Sequence, residues 1–173
     1  GISLATTNIT VTDQVDKSEA DTINGYTTGQ VVLNSSSMTV TELAAVEALN
    51  DSVMKFADDG AISVSDAASL TNANTINNYT TGQVTLTSVS DTVANITSID
   101  GLTTTQVSMA AATVSITDTG ASKTQVDTVN GFTTGTVTPT SISEDKADIT
   151  TLQGTTGISL ATTNITVTDQ VDK

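Results

Sequence analysis

The acidic side chains are the residues of this sequence best suited to chemistry. Adjacent pairs occur at Asp58-Asp59 and Glu144-Asp145, and paired carboxylates can act as acid and base when they flank a cleft. Both pairs lie in turn-like stretches, so a solvated turn role is expected. The chain contains no Cys and no His, which excludes the familiar catalytic triads and the thiolate or imidazole metal sites. The sequence therefore predicts no catalytic residue and no enzyme.

A second set of carboxylates recurs at the end of a short apolar motif. The motif reads Ile9-Thr-Val-Thr-Asp13 at its first occurrence, and the recurring acidic residues are Asp13, Asp66, Asp118 and Asp169. Oxygen ligands in a row could hold a hard cation such as calcium. The chain has neither an EF-hand pattern nor a glycine-rich calcium nonapeptide. A helix-capping or turn-forming role is therefore expected, calcium stays an alternative, and no cofactor-binding or metal residue is assigned.

Threonine pairs form a third pattern. They read Thr-x-Thr at 10–12, 85–87, 136–138 and 166–168, which places two hydroxyls on one face of a strand. Stacked ranks of this kind resemble, loosely, the flat ice-binding faces of some β-solenoid antifreeze proteins. Serine interrupts the ranks at 63–65 and at Ser115. Ice binding is therefore a lower-ranked alternative.

The charge and composition of the chain limit the classes of partner that it can bind. The net charge is −14, with five basic residues and 2% aromatic residues. A groove that neutralises nucleic-acid phosphates is excluded on this charge, and an anionic membrane surface is an equally poor partner. No stretch approaches the roughly 18 apolar residues of a transmembrane helix. The acidity is expected to keep a long polymer soluble.

The positions of these residues are set by a repeat. Residues 1–17 reappear without change as residues 157–173, at an offset of 156 residues. An identity of this length indicates a tandem array. The chain is therefore interpreted as one period of the array plus the start of the next.

Within the period, the Ile-Thr-Val-Thr-Asp motif divides the chain into three related blocks. Its copies begin at Ile9, Ile62, Val114 and Ile165, which are 53, 52 and 51 residues apart. The predicted boundaries are 1–8 for the end of a preceding repeat, 9–61, 62–113 and 114–164 for the three blocks, and 165–173 for the start of the next period. Each block contains two half-units of about 26 residues.

Each half-unit changes its apolar spacing partway through. Apolar residues first recur at every third position, as in Ala20, Ile23 and Tyr26, which predicts a short helix. After a Thr-Thr-Gly sequence the spacing becomes two, as in Val31 and Leu33, which predicts a strand with one buried face. Equivalent helix positions are Leu43, Val46, Leu49, Ile96, Ile99 and Leu102, and equivalent strand positions are Val84, Leu86, Val107, Met109, Ile158 and Leu160.

Polar residues predict where these helices begin and end. Ser18 with Asp21, and Thr124 with Asp127, have the spacing of a capping box. Glycines after the last apolar helical residue are expected to take a left-handed conformation that stops the helix. These glycines are Gly25, Gly101, Gly131 and Gly154. The helices should have only about two turns, which is too short for stability in isolation.

Neither a two-turn helix nor a single strand can bury its apolar face without a neighbour. We therefore predict a β-rich repeat solenoid with short helical turns, in which half-units of about 26 residues stack in blocks of about 52. A string of small β-rich modules is the alternative fold. The single proline, Pro139, and the lack of any Gly/Ser-rich linker argue against separate modules.

Several blocks resemble a known group of proteins. Ile-Thr-Val-Thr-Asp, the sequence at 20–29 (Ala-Asp-Thr-Ile-Asn-Gly-Tyr-Thr-Thr-Gly) and that at 94–105 are similar to those of very large extracellular tandem-repeat proteins of cyanobacteria and other marine bacteria. The resemblance covers the whole chain in style and spacing. It implies an extracellular or cell-surface location and a structural or adhesive role, and it assigns no functional residue.

The expected function is that of a structural repeat region. It would form the stiff polymeric shaft of an extracellular filament or giant cell-surface protein, with other copies of itself as partner. The first alternative is an adhesin stalk, with or without calcium to rigidify it, and the second is an ice-binding, Thr-rich surface.

Overall fold

The computed structural model describes residues 4–49, 53–102 and 106–169, which contain nine strands and six helices, with one or two strands between successive helices. The strands are β1 (Ile9–Val15), β2 (Val31–Met38), β3 (Met54–Ala68), β4 (Val84–Asp91), β5 (Val107–Ser108), β6 (Thr113–Ile116), β7 (Val137–Pro139), β8 (Ser141–Glu144) and β9 (Asn164–Val167). The helices are α1 (Lys17–Asn24), α2 (Val40–Glu47), α3 (Leu70–Asn77), α4 (Val93–Gly101), α5 (Lys123–Asn130) and α6 (Lys146–Gly154).

The strands pair in parallel, in the order in which they follow one another along the chain. One sheet has the order β1-β2-β3-β4-β6-β7, and β5 also pairs with β4. Strands β8 and β9 form a separate two-stranded sheet. Each helix contacts the next helix along the chain, so the helices form a row against the sheet. The result is a curled parallel sheet with six short helices, compatible with the predicted β-rich solenoid. We use "coil" for one turn of the stack, that is, the one or two strands between successive helices together with the helix that follows them.

The core lies between the sheet and the row of helices. The apolar positions predicted for the strands are buried from β2 to β5: Val31, Leu33, Val84, Leu86, Val107 and Met109 expose at most 1% of their surface. The helices add Ala20, Leu43, Val46, Ile96 and Ile99, which are fully buried. Tyr26 and Leu49 are instead exposed, because α1 and α2 end before reaching them.

The longest strand, β3, changes its pairing register along its length, and we call this change the β3 step. Its first part pairs with the start of β2, with Met54 opposite Val31. Eight residues later, Ile62 pairs with Val84 at the start of β4. The register shifts between these two parts, at the Asp58-Asp59 sequence. The predicted Ile62-Ser-Val-Ser-Asp66 strand is thus the second part of a longer strand.

The predicted capping boxes at Ser18 and Thr124 are wrong by two residues. Both residues lie inside helices, and the caps are Asp16 with Glu19 for α1 and Ser122 with Gln125 for α5. In each box the side chain of the first residue accepts from the third helical N–H, and the later side chain accepts from the cap N–H. Ala20 and Val126 lie on the buried faces of these two helices.

The predicted left-handed glycines are also wrong. Gly25 and Gly131 do follow the last residues of α1 and α5, but their φ values are −66° and −73°, which is right-handed. Gly101 and Gly154 are the last residues of α4 and α6. The chain leaves α1 in a tighter turn, in which the Tyr26 N–H donates to the Ile23 carbonyl at 3.0 Å. Such a turn needs negative φ.

One buried position departs from the apolar pattern of the sheet. Ser36 is fully buried and its hydroxyl has no hydrogen-bond partner. Its neighbours on the adjacent strands are Val15 and Ile62. We expect Ser36→Ala to raise the free energy of unfolding by about 1 kcal/mol, because an unpaired buried hydroxyl is costly. Urea unfolding checks this, and a loss of stability would contradict it.

Among the described residues, the longest helices have nine residues. None is long and apolar enough to cross a membrane.

Candidate functional site

The helix N-termini are linked to the following coil by carboxylates. Each of five helices begins with a residue whose N–H donates to an acidic side chain near the end of a strand of the following coil. The pairs are Val40 to Asp66 at 2.8 Å, Leu70 to Asp91 at 2.9 Å, Val93 to Asp118 at 2.6 Å, Lys123 to Glu144 at 2.6 Å and Lys146 to Asp169 at 3.1 Å. We name these five carboxylates the cross-coil caps.

A cross-coil cap satisfies an N–H that the helix itself leaves unpaired, at the positive end of the helix dipole. The expected capping role is confirmed for Asp66, Asp118 and Asp169. Asp13 is exposed, and no described helix precedes it. A capping role was not predicted for Asp91 and Glu144, because the Ile-Thr-Val-Thr-Asp motif marks only every second coil. Alignment at the half-unit period would have found them.

Asp91 is the cap with the most partners. Its carboxylate accepts from the N–H groups of Leu70 and Thr92 and from the side-chain amide of Asn95, at 2.8–2.9 Å. Partial burial by itself would raise the pKa of this carboxyl. The three hydrogen bonds outweigh that effect and lower the pKa below its usual value.

This lowered pKa predicts acid sensitivity. The Asp91 carboxylate stabilises the fold above its unfolded-state pKa, and the contribution is lost as the pH falls through the lower folded-state pKa. We therefore expect the free energy of unfolding to fall from about pH 5 downwards, and to fall less steeply in Asp91→Asn. Urea unfolding at several pH values measures the slope. Asp59→Asn, which removes an equal charge from an exposed residue, should keep the wild-type slope, and equal slopes in the two variants would contradict this prediction.

The Thr-Thr-Gly sequences at 27–29, 80–82 and 133–135 form a second link between coils. In each, the first threonine hydroxyl donates at 2.6 Å to a backbone carbonyl of the preceding coil, at Thr7, Gly60 and Ala112 respectively. The same hydroxyl accepts from the glycine N–H two residues later, at 2.8–2.9 Å. The second threonine N–H donates to the carbonyl two residues before the first acceptor. We name these segments the Thr-Thr-Gly clasps.

The clasps require glycine because the two backbones lie very close together. A Cβ atom at Gly29 would lie 2.5 Å from the Thr7 carbonyl oxygen. At Gly82 and Gly135 it would meet the carbonyl oxygens of Gly60 and Ala112 even more closely. The obstacle is backbone in each case, which cannot rotate away as a side chain can. At these three junctions the glycine thus lets one coil lie directly against the coil before it.

The two acidic pairs do not share a cleft. Asp58 and Asp59 are exposed in the β3 step, where Lys55 Nζ lies 3.4 Å from Asp58 Oδ1. Glu144 is a cross-coil cap, and Asp145 caps α6 by accepting from the Asp148 N–H at 2.8 Å. Within the described residues, no three acidic side chains converge closely enough to hold a metal ion. The geometry assigns helix capping to the second pair.

The outward hydroxyls form mixed rows across the sheet. Thr85 lies between Ser63 and Ser108, whereas Thr10 lies beside Val32. The Thr87 hydroxyl is already used, since it donates to the Val64 carbonyl at 2.7 Å. The register thus brings serine, valine and threonine together, and does not stack threonine upon threonine at these positions.

Apolar residues at equivalent positions of the repeated sequence differ in exposure. Ile165 and Val167 of β9 are 45% and 46% exposed. The identical residues of β1, Ile9 and Val11, are partly buried against the core because β2 lies beside them. The copy that pairs with a following strand is thus the less exposed of the two.

Comparisons with protein families, curated proteins and solved structures gave no match.

Proposed function

We propose that this chain is a structural repeat region that forms the stiff shaft of an extracellular filament or giant cell-surface protein. The observation that carries the proposal concerns residues 157–169. This segment repeats the start of the chain, and it lies where one more coil continues the stack, with β9 paired in parallel to β8. A further period can therefore be added by the same contacts.

The links between coils support a mechanical role. Parallel strand pairing, cross-coil caps and Thr-Thr-Gly clasps join neighbouring coils at three places, and the apolar core runs along the stack. Among the described residues, the strands from β1 to β7 belong to one hydrogen-bonded sheet. In a stack of this kind, length increases by adding coils without a new fold. Half-units of about 26 residues in blocks of about 52 are the repeat that we propose for the shaft.

The resemblance to giant extracellular repeat proteins supports the proposed location. The net charge of −14 suits a long, soluble, self-repelling polymer. The proposed partner is another coil of the same kind.

Electron microscopy of the producing cells tests the proposal. Gold-labelled antibodies against this chain should bind along the length of extracellular fibres. Labelling confined to the cytoplasm would overturn the proposed location, and labelling of isolated globules would overturn the shaft. The same fibres, treated with a calcium chelator, should keep their stiffness, whereas softening would favour the calcium-dependent adhesin stalk.

A further inference from the structure

A cleft of about 390 Å³ lies where the β3 step meets the end of α3. Asp58 of β3 lines one side of it, and the other lining residues are Asn77, Asn78, Tyr79, Thr80 and Thr81, at the end of α3 and in the clasp that follows. The clasp holds the two sides together, since the Thr81 N–H donates to the Asp58 carbonyl at 2.6 Å. The cleft is therefore fixed by the contacts between two inner coils.

The other two clasps show which of these side chains the clasp itself requires. The residue whose carbonyl accepts from the second threonine N–H is Asp58 here, but Ala5 and Ala110 at the other two junctions. Asn78 is likewise replaced by glycine after α1 and α5. Coils are joined equally well without this carboxylate and this amide, so both are available for another role.

Three side chains of the cleft offer hydrogen-bond acceptors. The Asp58 side chain is 93% exposed, and its one described ion pair is the long contact of 3.4 Å with Lys55 Nζ. The Thr81 hydroxyl donates its hydrogen to the Asp58 carbonyl at 2.7 Å, which leaves its lone pairs for a ligand. Asn77 Oδ1 is buried and has no hydrogen-bond partner among the described residues. A ligand that brings N–H donors suits this set of groups.

The cleft also favours a positive charge. The Tyr79 ring is held against the Phe56 ring, with centroids 6.1 Å apart and planes 10° apart, and aromatic rings attract cations. Burial and, next, the negative charge of Glu47 raise the pKa of the Tyr79 hydroxyl, so the field of a second carboxylate reaches this wall. A hard metal ion takes about six or more oxygen ligands, several of them carboxylates, whereas Asp58 is the acidic residue of the cleft lining. An organic cation is the better fit.

We propose that this cleft binds a primary alkylammonium group, which comes from a free amine or from a lysine side chain of a partner. The ammonium group donates to the Asp58 carboxylate and to the Thr81 hydroxyl oxygen, beside the Tyr79 ring. It has three N–H donors and no acceptor, which matches the acceptors that the cleft presents. The approach of Lys55 Nζ to Asp58 is an intramolecular example of the same attraction.

Tyrosine fluorescence reports on the cleft directly, because the chain has no Trp and two Tyr. In the Tyr26→Phe variant, Tyr79 is the one tyrosine left. Titration with cadaverine at physiological ionic strength should change its fluorescence to a plateau, whereas calcium chloride at the same ionic strength should not. A parallel titration uses N-acetyl-lysine amide. Tighter binding of cadaverine assigns the cleft to a free amine, and tighter binding of the lysine derivative assigns it to a partner protein.

Variants of the acidic residues control the experiment in the same Tyr26→Phe background. Asp58→Ala introduces the residue found at the other two clasps, and it should weaken cadaverine binding about tenfold or more, the effect of losing one hydrogen bond to a charged group. Asp58→Asn, which keeps the side-chain shape, should show the same loss. Asp59→Ala removes an equal charge from a residue outside the lining and should have a much smaller effect. Lys55→Ser should bind more tightly, because a competing ammonium group is removed.

The proposal is overturned if cadaverine gives no plateau in Tyr26→Phe, or if calcium gives the same one. Equal losses in Asp58→Ala and Asp59→Ala would also overturn it, since general attraction to an acidic surface would then explain the binding. Urea unfolding of each variant beside its parent shows that the fold is retained. None of these outcomes depends on the shaft function.

Discussion

Gly82→Ala is expected to lower the free energy of unfolding by about 3 kcal/mol, the upper part of the usual range for overpacking. The added Cβ atom would collide with the carbonyl oxygens of Asp59 and Gly60 in the preceding coil. The clasp must then move away, which weakens the bond from the Thr80 hydroxyl to Gly60. Urea unfolding followed by circular dichroism measures the loss.

Gly154→Ala is the matched control for this variant. Gly154 is the last residue of α6, and a Cβ atom there meets no atom within 4 Å. Alanine is a better helix former than glycine by up to about 1 kcal/mol. The control should therefore keep or slightly increase stability. Equal losses in the two variants would show that glycine does not act through close contact between coils.

Ile142→Ala is expected to cost about 3 kcal/mol of unfolding free energy, whereas Ile165→Ala should cost less than about 1 kcal/mol. The two isoleucines are register partners on β8 and β9. Ile142 is fully buried, whereas Ile165 is 45% exposed at the end of the stack. Truncation leaves a cavity at Ile142, but at Ile165 it mostly removes atoms already in contact with water.

Chemical unfolding of the two variants beside the wild type checks this difference. A loss at Ile165 equal to that at Ile142 would contradict the difference in burial between the two positions. The comparison uses one residue type in adjacent strands, so differences in side-chain chemistry do not contribute.

The periodic apolar residues were sufficient to predict the elements. Spacing of three around Val46 and spacing of two at Val31 and Leu33 describe the faces that helix α2 and strand β2 bury. These patterns are local, and a short amphipathic element shows them directly in sequence. The predicted helix length of about two turns is confirmed by helices of eight and nine residues.

The helix starts could not be predicted from local spacing alone. The spacing of a capping box is found both in Asp16 with Glu19 and in Ser18 with Asp21. These two candidate boxes begin two residues apart. The start is also fixed from outside the helix, as when the Lys123 N–H donates to Glu144, 21 residues later. A contact between residues so far apart in the sequence cannot be predicted from the residues around the helix.

The Thr-Thr-Gly sequence was recognised as a landmark, but its contacts were not predicted. The acceptors of the first threonine are backbone carbonyls, of Thr7, Gly60 and Ala112. Because a backbone atom accepts, the residue type at that position is free to vary. The step in β3 was missed for a similar reason, since a shift of register depends on which strands become neighbours.

Cryo-electron microscopy of the native fibre tests continuous stacking most directly. We expect parallel strands about 4.8 Å apart along an uninterrupted sheet, and a helical asymmetric unit that holds 156 residues and six coils. Separate globules joined by flexible segments, without the 4.8 Å spacing, would contradict the stack and favour a string of modules.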